Sequence, residues 1–136
     1  MRTRLFDASS IILLAKRSPA TAPATLEGEH ILDLTKYEIG NTIWKLNKLI
    51  NKTDKPTAME SMEQAYHLTA LMETISLEEQ RELTDTMEIA FDGGISFYDS
   101  AYLHTARERG LTLVTEDERL RRQATALGVN CERAGA

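Results

Sequence analysis

Residues 93–110 read GGISFYDSAYLHTARERG and carry the signals of one complete helix. Ser96 is placed to cap the N-terminus with its hydroxyl, and Asp99 follows at the three-residue spacing of a capping box. The apolar side chains after the cap recur at Phe97, Ala101, Tyr102, Leu103 and Ala106. This spacing predicts a helix with one face in the core, and Gly110 ends it where a positive φ is favoured. Asp99 therefore lies in the first turn of a largely buried helix.

Short apolar strands alternate with helical segments through the rest of the chain. Strands are predicted at 2–6, 30–34, 73–77, 111–114 and 129–132. Alternating strands and helices predict βαβ units, and hence an α/β fold with a parallel sheet of about five strands flanked by helices. A chain of 136 residues has the size of one domain, so residues 1–136 are interpreted as a single domain.

Repeated T-x-x-E spacings and apolar stripes predict the helix starts and the buried faces. Capping boxes are predicted for the pairs Thr35/Glu38, Thr57/Glu60 and Thr115/Glu118. The helix over 35–50 has an apolar stripe at Ile39, Ile43, Leu46 and Ile50, and Gly40 within it suggests close packing. The helix over 78–91 is expected to bury Leu83, Met87, Ala90 and Phe91. Residues 18–28 are predicted to be a loop after a helix end.

Composition and charge exclude several classes of protein. The net charge of −5 argues against a general nucleic-acid coat protein. Nine acidic residues and one Arg fall within 57–92, however, so the remainder is basic enough to meet phosphates. The single cysteine, Cys131, excludes an intramolecular disulfide and fits a reducing compartment. The apolar run Ile11–Ala15 is far too short to cross a bilayer. We therefore expect a cytoplasmic protein without membrane association.

Four carboxylates fall where the predicted strands end or the helices begin. They are Asp7, Glu38, Asp99 and Asp117. Ligands of open parallel sheets bind at the carboxyl ends of the strands, so these side chains can converge on one edge. Crowded carboxylates raise one another's pKa and are stable together only with protons or a cation. Oxygen ligands without Cys or His suit Mg²⁺ or Mn²⁺ rather than Zn²⁺.

Each acid taken separately has a simpler explanation as a helix cap or a solvated side chain. Capping boxes alone account for Glu38 and Asp99, but they explain Asp7 less well, since it follows a strand and precedes an apolar helix. His30, His67 and His104 are far apart and are interpreted as core or surface residues. Neither G-x-x-x-x-G-K-[ST] nor G-x-G-x-x-G is present, so the standard phosphate-binding loops are not supported.

Four motifs in this order resemble those of PIN domains, and more narrowly the VapC-type toxins of toxin–antitoxin pairs. The motifs are FDAS (6–9), YEIGN (37–41), SFYDSAYLHTA (96–106) and LVTEDERL (113–120). The resemblance implies a three-layer fold in which Asp7, Glu38, Asp99 and Asp117 form a Mg²⁺ or Mn²⁺ site that cleaves RNA through metal-activated water. Ser9, Asn41 and Thr115 match positions that support or line such a site. The family also implies a homodimer and a small antitoxin protein that blocks the site.

Two other functions fit parts of the pattern. The first is a PIN-like binding module that keeps the acidic pocket without catalysis and acts by holding a partner or RNA. The second is a phosphoryl-accepting Asp on a similar sheet, as in receiver domains. That chemistry needs a second Asp near the first strand and a Lys at a later strand end, whereas Ser9 occupies the D-x-D position and no Lys follows 111–114.

Overall fold

The computed structural model describes residues 2–48 and 54–135, and it is an α/β structure. The five strands within these residues are β1 (Arg4–Phe6), β2 (His30–Leu32), β3 (Glu73–Ile75), β4 (Thr112–Val114) and β5 (Cys131–Glu132). The helices are α1 (Ala8–Arg17), α2 (Ala22–Leu26), α3 (Thr35–Lys48), α4 (Lys55–Thr69), α5 (Gln80–Gly93), α6 (Phe97–Arg109) and α7 (Glu118–Ala126).

The five strands form one parallel sheet in the order β3-β2-β1-β4-β5. The central strand β1 pairs with β4 in the register Leu5–Leu113 and with β2 through Leu5 and His30. This confirms the predicted parallel sheet of five strands. The order also differs from the 2-1-3-4-5 order of receiver-type folds, which weakens the phosphoryl-acceptor hypothesis.

Alternate side chains of the three central strands β2, β1 and β4 enter two separate cores, so the sheet is the middle of three layers. Leu5 and Leu113 join the core beneath α5, α6 and α7, together with Ile89, Tyr102 and Leu120. Phe6 and Val114 point to the other face and join the core beneath α1 to α4. The α6 helix contributes most to the first core, because every residue from Ser100 to Ala106 is buried.

The predicted boundaries of α6 are confirmed. The Ser96 hydroxyl accepts a hydrogen bond from the Asp99 amide at 3.0 Å, and Gly110 adopts a φ of 66° at the C-cap. A residue other than Gly would be strained in that left-handed conformation, because it carries a Cβ. The predicted helix over 35–50 begins at Thr35, but Leu49 and Ile50 lie outside the described residues.

The capping boxes predicted to begin at Thr35, Thr57 and Thr115 are wrong. The hydroxyls of Thr35 and Thr115 and the amide of Thr57 form hydrogen bonds with other groups. The helices α4 and α7 are capped by Asp54 and Asp117, which accept hydrogen bonds from amides of their own first turns. The Thr35 hydroxyl accepts from the Leu32 amide at 3.1 Å, and the Thr115 hydroxyl bonds to Asp7. Acidic residues thus compete successfully with Thr as caps, since a carboxylate also gains from the helix dipole.

The loop predicted at 18–28 and the buried face predicted for α5 also need correction. Residues 22–26 form α2, which has Pro23 in its first turn, where the missing N–H costs nothing. The α5 helix buries Thr86 and Ile89, whereas Leu83, Met87 and Phe91 are exposed, Phe91 by 81%. The apolar residues at 83, 87 and 91 form a stripe beside the one that contacts α6.

The close packing predicted at Gly40 is not present in the structure. A Cβ built at Gly40 would lie 3.7 Å from the Met62 sulfur, which is an ordinary contact, so the predicted close packing is wrong.

Among the described residues, no helix has both the length and the apolar character needed to cross a membrane.

Candidate active site

The four predicted acids all lie at the carboxyl edge of the sheet. Asp7 follows β1 and caps α1, Glu38 is in the first turn of α3 after β2, and Asp117 caps α7 after β4. These three segments follow the three central strands of the sheet. Asp99 reaches the same edge because α6 leads back into β4, so the N-terminus of α6 lies near the carboxyl end of that strand.

Asp7 is the most buried and the most firmly held of the four acids. Its Oδ1 accepts hydrogen bonds from the Ser10 amide at 3.0 Å and the Ser9 hydroxyl at 2.9 Å. Its Oδ2 accepts a short hydrogen bond from Thr115, whose hydroxyl in turn accepts from the Asp117 amide at 3.0 Å. A carboxylate offers about four acceptor sites, so these three donors leave one on Oδ2.

Glu38 is held by a chain of hydroxyl groups behind it. The Tyr102 hydroxyl donates to Oε1 of Glu38 at 2.6 Å and lies 2.7 Å from the Thr35 hydroxyl. Since Thr35 accepts from the Leu32 amide, its own proton points to Tyr102, and the Tyr102 proton points to Glu38. The sequence pattern indicates only a position in the apolar stripe for Tyr102. The missed signal is that a buried Tyr hydroxyl needs a partner.

Asp99 and Asp117 are less buried and lie beside Arg119. Oδ1 of Asp117 accepts from the amides of Arg119 and Leu120 at 2.9 and 3.2 Å, which leaves Oδ2 for another ligand. The Arg119 guanidinium donates to the Gly94 carbonyl at 2.6 Å, and its charge partly offsets that of Asp99.

Burial and the charges of neighbouring acids raise the pKa values of Glu38 and Asp99. Burial raises the pKa of Glu38, and the charges of Asp7 and Asp99 raise it further. Burial likewise raises the pKa of Asp99, with added repulsion from Asp117 and Asp7. Burial also raises the pKa of Asp7, although the hydroxyl and amide donors oppose that shift. Such repulsion is relieved by protons or by a bound cation.

The donor set fits a hard cation, but the acids form an open arrangement. All four side chains offer carboxylate oxygens, which Mg²⁺ and Mn²⁺ prefer. In residues 2–48 and 54–135, no three His, Cys, Asp or Glu side chains converge closely enough to hold a metal ion as they stand. Glu38 and Asp99 are half-buried and Asp117 is exposed, so water can reach the site.

Asn41 lies beside this site rather than within the hydrogen bonds around Asp7. It lines an open cleft of about 400 Å³ together with Leu34, Tyr37, Glu38 and Tyr98. Glu38 therefore belongs both to the acidic group and to the wall of the cleft.

His30, His67, His104 and Cys131 lie on four different elements, β2, α4, α6 and β5. His30 bonds to the Arg4 carbonyl, His67 contacts the Tyr66 ring, and His104 is buried in α6. Burial raises the pKa of the Cys131 thiol, which keeps it protonated at neutral pH.

Two curated proteins from Pyrobaculum aerophilum are similar to this chain. Ribonuclease VapC3 is 30% identical over 127 residues, which cover 89% of this chain and 94% of that protein. Exonuclease VapC9 is 34% identical over 90 residues, or 66% of this chain. That second match spans 62% of the relative, which is less than two thirds of its length.

Solved structures give the same fold. PAE2754 from Pyrobaculum aerophilum superposes with a TM-score of 0.80 at 25% identity, covering 98% of this chain and 90% of that one. VapBC2 from Rickettsia felis, bound to a DNA fragment from their promoter, has a TM-score of 0.62 at 13% identity, covering 96% and 97%. The PIN domain family model matches residues 4–126. This match covers most of the chain and includes all four acids, and the chain belongs to the PIN domain family.

Proposed function

We propose that this protein is a divalent-metal-dependent ribonuclease that acts as the toxin of a toxin–antitoxin pair. The observation that carries the proposal is that Asp7, Glu38, Asp99 and Asp117 lie at one edge of the sheet. There, burial and neighbouring negative charges raise the pKa values of Glu38 and Asp99. A protein keeps such repulsion when a cation offsets it in the working state. The curated relatives named ribonuclease and exonuclease VapC support the nuclease assignment.

The four acids would hold the cation through the oxygens that their present hydrogen bonds leave free. Asp7 would offer Oδ2, fixed by Thr115, and Glu38 would be directed by Tyr102. Asp99 and Asp117 would complete the set by side-chain rotation. When bound, Mg²⁺ or Mn²⁺ supplies positive charge for the scissile phosphate and lowers the pKa of an attacking water. Ser9 and Thr115 would keep the Asp7 carboxylate oriented toward the cation.

The partners proposed for the chain follow from the same family. The substrate is RNA, the inhibitor is a small cognate antitoxin protein, and the active form is a cytoplasmic homodimer. The VapBC2 structure shares only 13% identity with this chain, so it supports the fold alone.

The test is cleavage of a panel of structured RNAs by the purified protein. Activity is expected with Mg²⁺ or Mn²⁺ and is expected to disappear with EDTA. Asp99→Asn should abolish cleavage with folding intact, because the change removes a charge without removing volume. Asp92→Asn is the matched control, since Asp92 is an exposed carboxylate on α5, and it should retain activity. Equal cleavage by Asp99→Asn and the parent would refute the assignment.

One observation favours the alternative of a non-catalytic binding module. The acids do not converge on a common point in the described residues as the side chains stand. A module of this kind would bind RNA or a partner with and without Mg²⁺ and cleave no member of the panel. The same assay therefore separates the two functions.

A further inference from the structure

Two exposed tyrosines flank the acidic site at the mouth of the open cleft. Tyr37 is 83% exposed and directly precedes Glu38, while Tyr98 is 62% exposed and directly precedes Asp99. We name the space lined by Leu34, Tyr37, Glu38, Asn41 and Tyr98 the tyrosine cleft. Exposed aromatic rings that share one cleft are typical of a ligand-binding surface.

We propose that the tyrosine cleft binds an unpaired nucleobase of the RNA next to the scissile phosphate. This inference rests on the proposed ribonuclease function, because that function places the phosphate at the four acids. Glu38 belongs to both regions, so a nucleotide adjoining the phosphate has its base within reach of the cleft.

The lining of the cleft suits a base better than it suits a phosphate. Aromatic faces stack on any unpaired base, and single-stranded RNA is commonly recognised by such stacking. Asn41 lies four residues after Tyr37, on the same side of α3, and its amide can both donate to and accept from a base edge. The nearby carboxylates would repel a phosphate in the cleft, whereas an uncharged base meets no such penalty.

The tyrosine cleft can hold a base and remain open to solvent. Leu34 supplies an apolar contact and is only partly buried, and the cleft opens to solvent. A duplex cannot present its bases to such a cleft, so the proposal predicts a preference for single-stranded or looped RNA.

The experiment measures equilibrium binding of a fluorescent single-stranded RNA hexamer and of the same hexamer with abasic sites. Binding is compared for the parent, Tyr37→Leu, Tyr98→Leu and the conservative variants Tyr37→Phe and Tyr98→Phe. The control is Tyr66→Leu, because Tyr66 is 60% exposed on α4 and does not line the cleft. Ca²⁺ replaces Mg²⁺ so that an oxygen-binding cation is present while cleavage is limited.

Each Leu variant should bind the intact hexamer at least about fivefold more weakly, which is the lower end expected for the loss of one base stack. Binding of the abasic hexamer should be weak and unchanged by any of these substitutions. The Phe variants should bind like the parent, because stacking needs the ring and not the hydroxyl.

Two results would overturn the inference. In the first, the Leu variants and the Tyr66→Leu control bind the intact hexamer equally well. In the second, the Leu variants bind RNA like the parent but have a lower molecular mass in solution than the parent does. That result would assign the tyrosines to a protein interface. If the parent binds bases in this way but cleaves no RNA with Mg²⁺, the ribonuclease proposal fails and the base site remains.

Discussion

The Tyr102 hydroxyl donates a 2.6 Å hydrogen bond to Oε1 of Glu38, although the two residues are 64 positions apart. The bond joins the buried helix α6 to the first turn of α3 and is backed by Thr35. It fixes one oxygen of a carboxylate that otherwise faces the like charges of Asp7 and Asp99.

Removing this hydroxyl tests whether Tyr102 positions Glu38. Tyr102→Phe should raise the Mg²⁺ concentration needed for half-maximal cleavage by about tenfold, because a hydrogen bond to a charged group contributes about 1.5–3 kcal/mol. The change also leaves the buried Thr35 hydroxyl without its acceptor, so the free energy of unfolding should fall by about 1–3 kcal/mol. Tyr66→Phe is the exposed control. An unaltered Mg²⁺ dependence in Tyr102→Phe would remove the positioning role.

The raised carboxylate pKa values predict how stability depends on pH in the absence of divalent metal. Asp7, Glu38 and Asp99 have folded-state pKa values above their ordinary values of 3.8, 4.5 and 3.8. The folded protein therefore binds more protons than the unfolded chain between the ordinary and the raised values. The free energy of unfolding should rise as the pH falls from 7 into this window.

Urea titrations in EDTA at several pH values measure this dependence. The matched comparison is Asp99→Asn, which should be more stable than the parent at pH 7 and should show a shallower slope, because one of the repelling charges is gone. A parent whose free energy of unfolding rises no more steeply than that of Asp99→Asn between pH 7 and pH 5 would contradict the raised carboxylate pKa values.

The hydroxyl of Thr115 is predicted to be essential to the geometry around Asp7. Thr115→Val keeps the shape but removes a donor to Asp7 and an acceptor for the Asp117 amide. Loss of these buried partners should lower the free energy of unfolding by about 1–3 kcal/mol and should raise the pKa of Asp7 further. Thr115→Ser retains the hydroxyl and should behave like the parent in chemical denaturation. Equal stability of the Val and Ser variants would show that the hydroxyl contributes nothing.

Gly40 offers a stabilising substitution on the side of α3 that faces α4. Gly40→Ala should raise the free energy of unfolding by about 0.5–1 kcal/mol, since Ala favours the helix and its Cβ makes an ordinary contact with Met62. Thermal denaturation measures the change, and RNA cleavage should be unaltered. Gly110→Ala is the contrasting variant and should destabilise, because its φ of 66° strains any Cβ. A destabilised Gly40→Ala would show that α3 and α4 cannot admit the methyl group.

The sequence predicts the parts of this molecule that depend on local pattern. Strand–helix alternation gave the parallel sheet, and the Ser96 cap and Gly110 gave both ends of α6. These features depend on neighbouring residues, so spacing alone reveals them. The Asp7, Glu38 and Asp117 positions could also be placed at one edge, since parallel strands carry their carboxyl ends to the same side.

The sequence did not reveal the features that depend on contacts between distant segments of the chain. Thr35 and Thr115 have the spacing of caps, but tertiary partners take their hydroxyls, and acidic residues cap α4 and α7 instead. The exposed stripe at Leu83, Met87 and Phe91 has the same helical period as a core face, so periodicity could not tell which stripe meets α6. The Tyr102–Glu38 bond joins distant segments, and only the need of a buried hydroxyl for a partner hints at it.

Binding of Mn²⁺ measured by electron paramagnetic resonance tests the central claim most directly. The parent protein and Asp92→Asn should bind one or two Mn²⁺ ions per chain, and Asp99→Asn should bind them at least about tenfold more weakly because a ligand charge is lost. Folding of each variant is checked by circular dichroism. Failure of the folded parent to bind Mn²⁺ at millimolar concentration, or equal binding by Asp99→Asn, would contradict the claim that these four acids form a metal site.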